Sequence, residues 1–421
     1  MKYIPWLLLS LVLITQTCLA QHSKHRVIIS TDIGGTDPDD FQSMVHLLLY
    51  ADALDIEGLI SSPFGEGTKQ DILHVIDLYQ QDYPNLKRHS DDYPSPEQLR
   101  AITKQGEKKS APYQGYRRST EGSRWIVERA RADDPRPLYV LVWGGIEDLA
   151  QALHDAPDIL PKLRVHYIGG PNKKWGPDAY QYIAEQHPKL WIIESNATYR
   201  GWFVGGVQSD DWGNESFVSE HIAQQGALGK FFNTQLGGVI KMGDTPTVAW
   251  LLNGDPESPA AGGWGGQYVR AWTRPTIAMN RLTNKDDQIE EFGVLELTLA
   301  AGDNLPTHPE AFMDVENQSL IGHFDNGYVH FRFTPKAAKV FNYSIRSNVA
   351  SLNNQSGAIT AVPTSPAKAM QPNSKWPNWW VDNPDPRWAE GPHIGAKTVS
   401  QWRQAFLSDF AKRMQRIQHA P

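Results

Sequence analysis

The sequence predicts an α/β fold, in which a parallel open sheet is flanked by helices and is joined to a small all-β unit. Two observations predict this fold. Short apolar strands alternate with amphipathic helices through about the first 280 residues, a pattern typical of parallel sheets with right-handed crossovers. After Arg281 the apolar residues recur every second position instead, as they do in half-buried β strands.

The first strand and helix show the α/β pattern most clearly. An apolar β-branched run at 27–29 predicts a buried strand, and apolar residues then follow helical spacing from Phe41 to Leu49. Asp37 suits the N-cap of that helix, and Pro38 suits its first turn. Further strands are predicted at 55–62, 138–143, 163–168 and 190–193, with helices through 72–79 and 149–153.

The all-β pattern occupies residues 292–299, 328–333 and 341–345. Asp325-Asn326-Gly327 is a hairpin turn signal. Residues 363–377 are rich in Pro, Ser and Lys and predict a linker. The last stretch, 398–417, is predicted to be a helix that places Val399, Trp402, Phe406, Phe410 and Met414 on one face.

The N-terminus has the features of a secretory signal over residues 1–20. Lys2 supplies positive charge, residues 6–14 are apolar, and Cys18-Leu19-Ala20 places small residues at the cleavage positions. The apolar run is too short to span a bilayer. The sequence therefore predicts a secreted or periplasmic protein that has no membrane span and begins at Gln21.

Composition excludes several classes of function. The 421 residues carry a net charge of −7, which argues against a nucleic acid bound through a basic surface. Cys18 is the only cysteine, so the mature protein would have no disulfide, thiol nucleophile or cysteine-ligated zinc site.

Four carboxylates lie close together in the loop after the first strand: Asp32, Asp37, Asp39 and Asp40. They repel one another unless positive charge lies among them, and a hard divalent cation with oxygen ligands would supply it. The carboxyl ends of parallel strands are where α/β folds place their ligands. The alternative is that these aspartates only cap and stabilise a helix start, but the cluster as a whole favours a calcium-type site.

Six motifs together resemble the nucleoside hydrolase superfamily, and most closely its secreted subfamily labelled cellulose-binding. The aspartate loop of residues 30–41 resembles the superfamily's N-terminal motif. The other motifs are Val142-Trp143-Gly144-Gly145, residues 194–201, Lys241-Met242-Gly243-Asp244-Thr245-Pro246, residues 263–268 and residues 379–386. The resemblance covers about residues 26–280 and resumes near 376–417.

This resemblance implies a set of site residues. Asp32, Asp40 and Asp244 would hold Ca²⁺, with the main-chain carbonyl of Trp143 as a further ligand. Asp32 would also orient the attacking water and accept its proton, and Asp39 would bind sugar hydroxyls.

The sequence also departs from the superfamily pattern. Glu66 stands about where the superfamily has a ribose-binding Asn, and Gly243 replaces a His that is associated with the leaving base. This replacement makes nucleosides doubtful as the substrate but leaves the metal and sugar half of the site intact. Ser195 and Asn196, at the end of the fifth strand, are further candidates for substrate binding, although they also suit a strand terminus with a cap.

The all-β region resembles an immunoglobulin-like module of the kind that accompanies bacterial polysaccharide-degrading glycosidases. The resemblance rests on residues 321–327, 329–335 and 343–348. The predicted division is a nucleoside hydrolase-like domain at 24–285, an inserted β module at 286–362, and a linker with a C-terminal return to the first domain at 363–421.

Three hypotheses for function follow. The first is a secreted, calcium-dependent hydrolase of N-glycosyl, pentosyl or related glycosyl bonds. The second is a non-catalytic protein that binds a cellulose-like polysaccharide on a hydrolase scaffold, and the third, weaker one is nucleoside salvage outside the cytoplasm. The ligand expected is a small sugar, an oligosaccharide or a nucleoside-like molecule, and a homo-oligomer is left open.

Overall fold

A computed structural model describes residues 24–62, 64–272, 276–302, 304–364 and 371–418 of the chain. The predicted signal peptide, residues 1–20, lies outside these ranges, as do residues 365–370 of the predicted linker. Within the described ranges, no helix has the length and apolar character needed to cross a membrane.

The largest sheet has eight strands, and every neighbouring pair in it except the last is parallel. This confirms the predicted parallel α/β sheet. In spatial order the strands are β3 (Thr103–Gln105), β2 (Leu54–Ser61), β1 (His25–Thr31), β4 (Leu138–Val142), β5 (Leu163–Ile168), β6 (Ile192–Ser195), β17 (Trp379–Asp382) and β7 (Tyr268–Arg270).

Helices connect these strands and cover the sheet. They are α1 (Asp39–Leu49), α2 (Lys69–His89), α3 (Pro96–Ala101), α4 (Glu121–Ala130), α5 (Glu147–Asp155), α6 (Gly169–Asn172), α7 (Pro177–Gln186), α8 (Gly226–Thr234), α9 (Thr245–Leu252), α10 (Lys397–Ser400) and α11 (Arg403–Gln415). Short 3₁₀ or π turns occupy Pro157–Lys162, Thr198–Trp202, Asp210–Trp212, Val218–Ile222, Gln235–Gly238 and Pro386–Trp388. We call the eight-stranded sheet and these helices the α/β core.

Both faces of the sheet are buried, which explains why its strands are continuous apolar runs. Val27 and Ile29 pack into one hydrophobic cluster with α1, α2, α9 and α11. Ile28 points the other way, as the strand period of two requires, and packs with α4, α5 and α7. Because the strands are parallel, the residues that follow their carboxyl ends lie along one edge, which we call the carboxyl edge.

The β module is built from two sheets that share one hydrophobic cluster. The four-stranded sheet has the order β13 (His323–Asp325), β14 (Tyr328–Phe333), β10 (Val294–Ala300) and β8 (Thr276–Met279). The five-stranded sheet has the order β12 (Gln318–Ile321), β11 (Ala311–Val315), β15 (Val340–Ser347), β16 (Ser356–Val362) and β9 (Gln288–Glu290). Thr276–Met279 pairs within this module, although it precedes the predicted boundary at residue 286.

The chain returns to the α/β core after the β module. Strand β17 lies between β6 and β7, parallel to the former and antiparallel to the latter. Trp379 on β17 is fully buried, so the tryptophans of this segment serve partly as core residues.

Two local predictions are wrong, and one short strand was missed. Helix α1 begins at Asp39 with Pro38 at its N-cap and no side-chain cap, so Asp37 does not cap it. The short strand β3 was not predicted. The C-terminal helix is broken between α10 and α11, which leaves Trp402 41% exposed rather than on the buried face. By contrast, Phe406 stacks on Trp202 with ring centroids 3.8 Å apart.

Phe406→Ala should therefore lower the free energy of unfolding by about 3–5 kcal/mol, because it opens a cavity against the Trp202 ring. Trp402→Ala should cost about 1 kcal/mol or less, because this side chain already contacts water. Urea unfolding followed by far-UV circular dichroism measures both. Equal losses for the two variants would contradict the assigned packing of α11.

Candidate metal and sugar site

Three aspartates converge at the carboxyl edge. Asp39 and Asp40 form the first turn of α1, and Asp244 directly precedes α9. One carboxylate oxygen from each lies within 4.8 Å of the others, and all three residues are buried. Neither helix start uses a side-chain cap, so these carboxylates are not committed to capping their helices.

Asp32 adjoins this group from the end of β1. The charge of its carboxylate helps to raise the pKa of the neighbouring Asp40, whose Oδ1 accepts a hydrogen bond from the Thr31 hydroxyl. Gly144 packs so closely on Asp32 that a Cβ at this glycine would lie 2.7 Å from Asp32 Oδ1. The glycine after the third predicted strand is therefore needed to make room for the aspartate.

Gln42 holds the late motif against α1. Its side-chain oxygen accepts hydrogen bonds from the backbone N–H groups of Lys241 (2.9 Å) and Met242 (3.2 Å), and its amide donates to the carbonyl of Val239 (2.9 Å). This clamp joins positions about 200 residues apart in the sequence, and it brings Asp244 to the aspartates of α1.

Lys241 and Gly243 surround Asp39. Lys241 forms an ion pair with Asp37 and places its ammonium 3.3 Å from Asp39 Oδ1. The backbone N–H of Gly243 donates to Asp39 Oδ2 at 2.7 Å. A Cβ at Gly243 would lie 2.6 Å from that oxygen and 3.4 Å from the Tyr199 ring, so the histidine typical of the superfamily has no room here in this arrangement.

Burial and mutual repulsion oppose full ionisation of the cluster. Burial and the charges of Asp39 and Asp37 raise the pKa of Asp32 to about 8, and burial and the charge of Asp37 raise the pKa of Asp39 to about 7. Burial and mutual repulsion raise the pKa values of Asp40 and Asp244 well above their ordinary range. Lys241 is the one cation in direct contact with these carboxylates among the described residues.

The carbonyl of Trp143 lies on the same edge. It accepts a hydrogen bond of 2.7 Å from the Asn172 side chain, which leaves one lone pair for another partner. The Trp143 indole N–H donates to Thr247 on α9 at 2.7 Å, and the Thr247 hydroxyl donates to the carbonyl of Asp244 at 2.8 Å. The positions of Trp143 and Asp244 are thus linked.

Comparison with known proteins identifies the family. Residues 26–268, more than half of the chain, match the family described as cellulose-binding Sde182, nucleoside hydrolase-like domain. The chain belongs to this family. No curated protein matches the chain significantly.

Solved structures with a similar fold include relatives of the nucleoside hydrolases. A nucleoside hydrolase-related hypothetical protein from Saccharophagus degradans, associated with carbohydrate metabolism, is 19% identical, with 81% of this chain and 100% of that chain covered and a TM-score of 0.49. The inosine-uridine preferring nucleoside hydrolase of Bacillus anthracis is 15% identical, with 58% and 85% covered and a TM-score of 0.36. The purine-preferring ribonucleoside hydrolase of Gardnerella vaginalis is 13% identical, with 56% and 84% covered and a TM-score of 0.36.

The nucleoside hydrolase-like core brings together most of the residues predicted for the site. The predicted metal set contained Asp32, whereas the three acids whose oxygens approach most closely are Asp39, Asp40 and Asp244. Asp32 is near enough to Asp40 for its charge to help raise the pKa of Asp40. The ligand set of Asp32, Asp40 and Asp244 with the Trp143 carbonyl stays a prediction.

The predicted substrate residues have different surroundings. Glu66 is exposed, but its loop lies on the aspartate loop, since a Cβ at Gly65 would be 3.0 Å from Gly35 Cα. Ser195 Oγ accepts hydrogen bonds from the Tyr199 backbone N–H and the Tyr268 hydroxyl, both at 3.2 Å. The Asn196 amide donates to Glu194 at 3.0 Å, while its Oδ1 has no partner among the described residues.

Other buried polar atoms on the carboxyl edge also lack partners within the described ranges. All of them lie at or after the carboxyl ends of the core strands or at the start of α9. They belong to Ser61, Ser62, Glu147, Tyr167, Asn196 and Thr245. Burial raises the pKa of the Tyr167 hydroxyl, and so do the nearby charges of Glu147, Glu194 and Asp32. Buried polar groups are normally hydrogen-bonded, so the carboxyl edge has donors and acceptors that could bind a ligand.

Several residues of the site were not predicted from the sequence. Lys241, Tyr199, Asn172 and Gln42 contact the aspartates or their supporting segments only through pairings distant in the chain. Glu147 could have been predicted, because it closely follows the glycine pair at 144–145, which ends a strand at the carboxyl edge. Gln42 could not have been predicted, because nothing in the apolar spacing of α1 indicates that its side chain binds the late motif.

Asp244→Asn tests the cation site. Without a divalent cation the variant should be at least as stable as the wild type, because one of several mutually repelling buried carboxylates is removed. Calcium at 100 times its dissociation constant should stabilise the wild type by about 2.7 kcal/mol and the variant much less. Thermal unfolding with calcium and with chelator measures both effects, and an equal calcium effect in the two proteins would exclude Asp244 as a ligand.

Glu147→Gln tests the buried acid beside this edge. Burial raises the pKa of Glu147 to about 8, above the ordinary value near 4.5, so the folded protein binds a proton that the unfolded chain releases. The stability that Glu147 contributes to the wild type should therefore be lost as pH rises from about 4.5 to 8, by on the order of a few kcal/mol. Glu147→Gln should remove this part of the pH dependence, leave the part due to the aspartate cluster, and match the wild type near pH 5.

The exposed Glu128→Gln on α4 is the control for Glu147→Gln and should follow the wild-type pH profile. Urea unfolding midpoints from pH 5 to pH 8 give the comparison. A stability difference between Glu147→Gln and the wild type that does not grow with pH would show that Glu147 is ionised in the folded protein at neutral pH.

Proposed function

We propose that this protein is an exported, calcium-dependent hydrolase of glycosyl bonds. The observation that supports this most strongly is the convergence of Asp39, Asp40 and Asp244, with Asp32 alongside, at the carboxyl edge of a parallel sheet. Carboxylates whose pKa values are shifted by burial and by one another are typical of functional sites. Export rests on the predicted signal at residues 1–20.

The residues present fit a hard divalent cation. Their carboxylate oxygens are close together and buried, and the negative charges repel one another. Trp143 adds a carbonyl oxygen with a spare lone pair. Calcium takes six to eight oxygen ligands and tolerates irregular geometry, so waters and substrate hydroxyls would fill the remaining positions. When bound, the cation would lower the pKa of a coordinated water and so favour its deprotonation near neutral pH.

Asp32 is the candidate general base. It is half-buried, it lies between Gly144 and Asp40, and its backbone carbonyl accepts the N–H of Gly35 at 2.9 Å. The tight turn and the glycine contact fix its orientation. A carboxylate held in this way can orient a water molecule and accept its proton as the water attacks an anomeric carbon.

The substrate side of the site suits a sugar. Glycosyl cleavage passes through an oxocarbenium-like state, which the surrounding carboxylates would stabilise. Asp39 has its oxygens fixed by Lys241 and Gly243, and Ser195, Asn196 and Glu66 are the other candidates for binding hydroxyl groups. The unpartnered polar atoms along the carboxyl edge provide acceptors and donors for a polyhydroxylated ligand.

The surroundings of Gly243 argue against a nucleoside as the substrate. The histidine associated with a leaving base is absent, and the Asp39 carboxylate and Tyr199 ring fill its place. An N- or O-linked pentosyl or related sugar with a different leaving group is therefore the proposed substrate class.

A second candidate function is carbohydrate binding without turnover. The description of the matched family as cellulose-binding favours it, and so does the ion pair that ties Asp39 to Lys241. Binding to insoluble glycan that is indifferent both to chelator and to Asp32→Asn would favour the binder over the hydrolase.

Asp32→Asn should reduce turnover by about 10²-fold or more, because a positioned general base contributes at least that factor. Folding should be preserved, since the amide has the same shape as the carboxylate. The measurement is sugar release from nucleosides, aryl pentosides and plant or algal oligosaccharides, each with calcium and with chelator.

Asp133→Asn, at an exposed position in the loop between α4 and β4, is the matched control and should keep turnover within a few-fold of the wild type. Near wild-type turnover by Asp32→Asn would mean that another group is the base. No release from any substrate by calcium-loaded wild-type protein would favour the binding function instead.

A further inference from the structure

A cleft of about 610 Å³ lies between the α/β core and the β module. Its volume is within the range of about 300–1,000 Å³ that small-molecule and oligomer sites occupy. Core residues Phe64 and Trp175 line one side, and Gln318, Ile321 and His323 of the β module line the other.

The core wall of the cleft adjoins the aspartate loop. Phe64 stacks on Trp175 with ring centroids 4.2 Å apart and an interplanar angle of 12°. The Phe64 carbonyl packs on Gly35, where a Cβ would lie 2.5 Å from it. Trp175 is three residues beyond Asn172, which holds the Trp143 carbonyl. The Phe64 end of the cleft therefore contacts the loop that carries the aspartates.

A second planar stack joins the β module to the core at the cleft, because Tyr113 belongs to the core. The His323 ring lies parallel to the Tyr113 ring, with centroids 4.7 Å apart and an interplanar angle of 6°, and the Arg332 guanidinium lies 3.9 Å from the Tyr113 centroid. His323 is exposed and ends this stack. Beside it, Ile321 is 78% exposed and adds apolar surface to the cleft.

The polar groups of the cleft include side chains that suit hydroxyl ligands, together with Arg117, whose guanidinium donates to the Ser110 carbonyl at 3.0 Å. The charge of Arg332 is offset by Asp178 at 3.0 Å and Glu296 at 3.1 Å. Gln318 donates to the carbonyl of Lys174 at 2.6 Å, but its Oε1 has no partner among the described residues. Flat apolar surfaces beside hydrogen-bonding side chains complement the two faces of a sugar ring.

We propose that this cleft binds an oligosaccharide whose scissile end reaches the aspartate site, so that the β module contributes directly to substrate recognition. This inference rests on the proposed glycosyl hydrolase function. It assigns the sugar units beyond the cleaved bond to the surface between Phe64 and His323. It also distinguishes the substrate from a nucleoside, which is too small to span the site and the cleft together.

The test is calorimetric binding of neutral oligosaccharides of one to six units, of the cello-, xylo- and arabino- series, to full-length mature Asp32→Asn protein, which would not consume the ligand. Affinity for at least one series should rise with chain length. Ile321→Ala and Phe64→Leu in this background should each weaken binding of the longest member about tenfold. The Leu replacement keeps an apolar side chain but removes the flat ring.

Val340→Ala is the matched control, because Val340 is an exposed aliphatic residue of the same module that does not line the cleft. It should bind every oligosaccharide as the parent does. Affinity that is independent of chain length, or wild-type binding by both cleft variants, would overturn the proposal. A concentration-dependent dimer lost in Ile321→Ala would also overturn it and would assign the surface to self-association.

The experiment separates this proposal from the proposed function. Length-dependent binding that requires Ile321, found in a wild-type protein that releases no sugar, would sustain the cleft and reject the hydrolase. Calcium-dependent sugar release without any length-dependent binding would sustain the hydrolase and reject the cleft.

Discussion

The concentration of buried negative charge at the end of β1 is the constraint on which the rest of the site depends. Asp39, Asp40 and Asp244 repel one another in surroundings that screen charge poorly. The fold holds them together mainly through hydrogen bonds from an uncharged side chain. Gln42 fixes the backbone of the late motif, and Lys241 offsets only the outer acids. This leaves a local deficit of positive charge at the centre, where a cation would restore the balance.

The segment from Asn172 to Asp178 connects this site to the β module. Lys173 and Glu194 form a buried ion pair of 2.5 Å, and the same ammonium donates to the Phe292 carbonyl at 2.6 Å. An ion pair of this kind, removed from water, tolerates the loss of neither partner. Because Asn172 also holds the Trp143 carbonyl, one short stretch supports the metal side of the site, the cleft and the contact between the two units.

The sequence predicted the features that local pattern determines. Apolar runs located β1, β2, β4, β5 and β14 to within a residue or two, since burial on both faces leaves a continuous signal. The family match confirms the nucleoside hydrolase-like assignment, whereas the immunoglobulin-like assignment of the two β sheets stays a prediction. What the sequence could not show depends on distant pairings. The Gln42 clamp joins positions about 200 residues apart, and the exposure of Trp402 depends on a helix break that periodicity does not reveal.

The position of β17 has a consequence for how the protein matures. The β6 edge of the α/β core gains its parallel neighbour only from Trp379–Asp382, and the whole β module precedes that strand in the chain. As the chain emerges with its N-terminus first, the α/β core therefore lacks this strand until nearly the last segment has appeared, whereas the module can condense earlier. An unpaired central strand is a template for wrong associations. The incomplete chain thus exposes an unpaired strand edge, which can pair with other chains. A chain that ended after the β module and lacked β17 would expose that edge permanently.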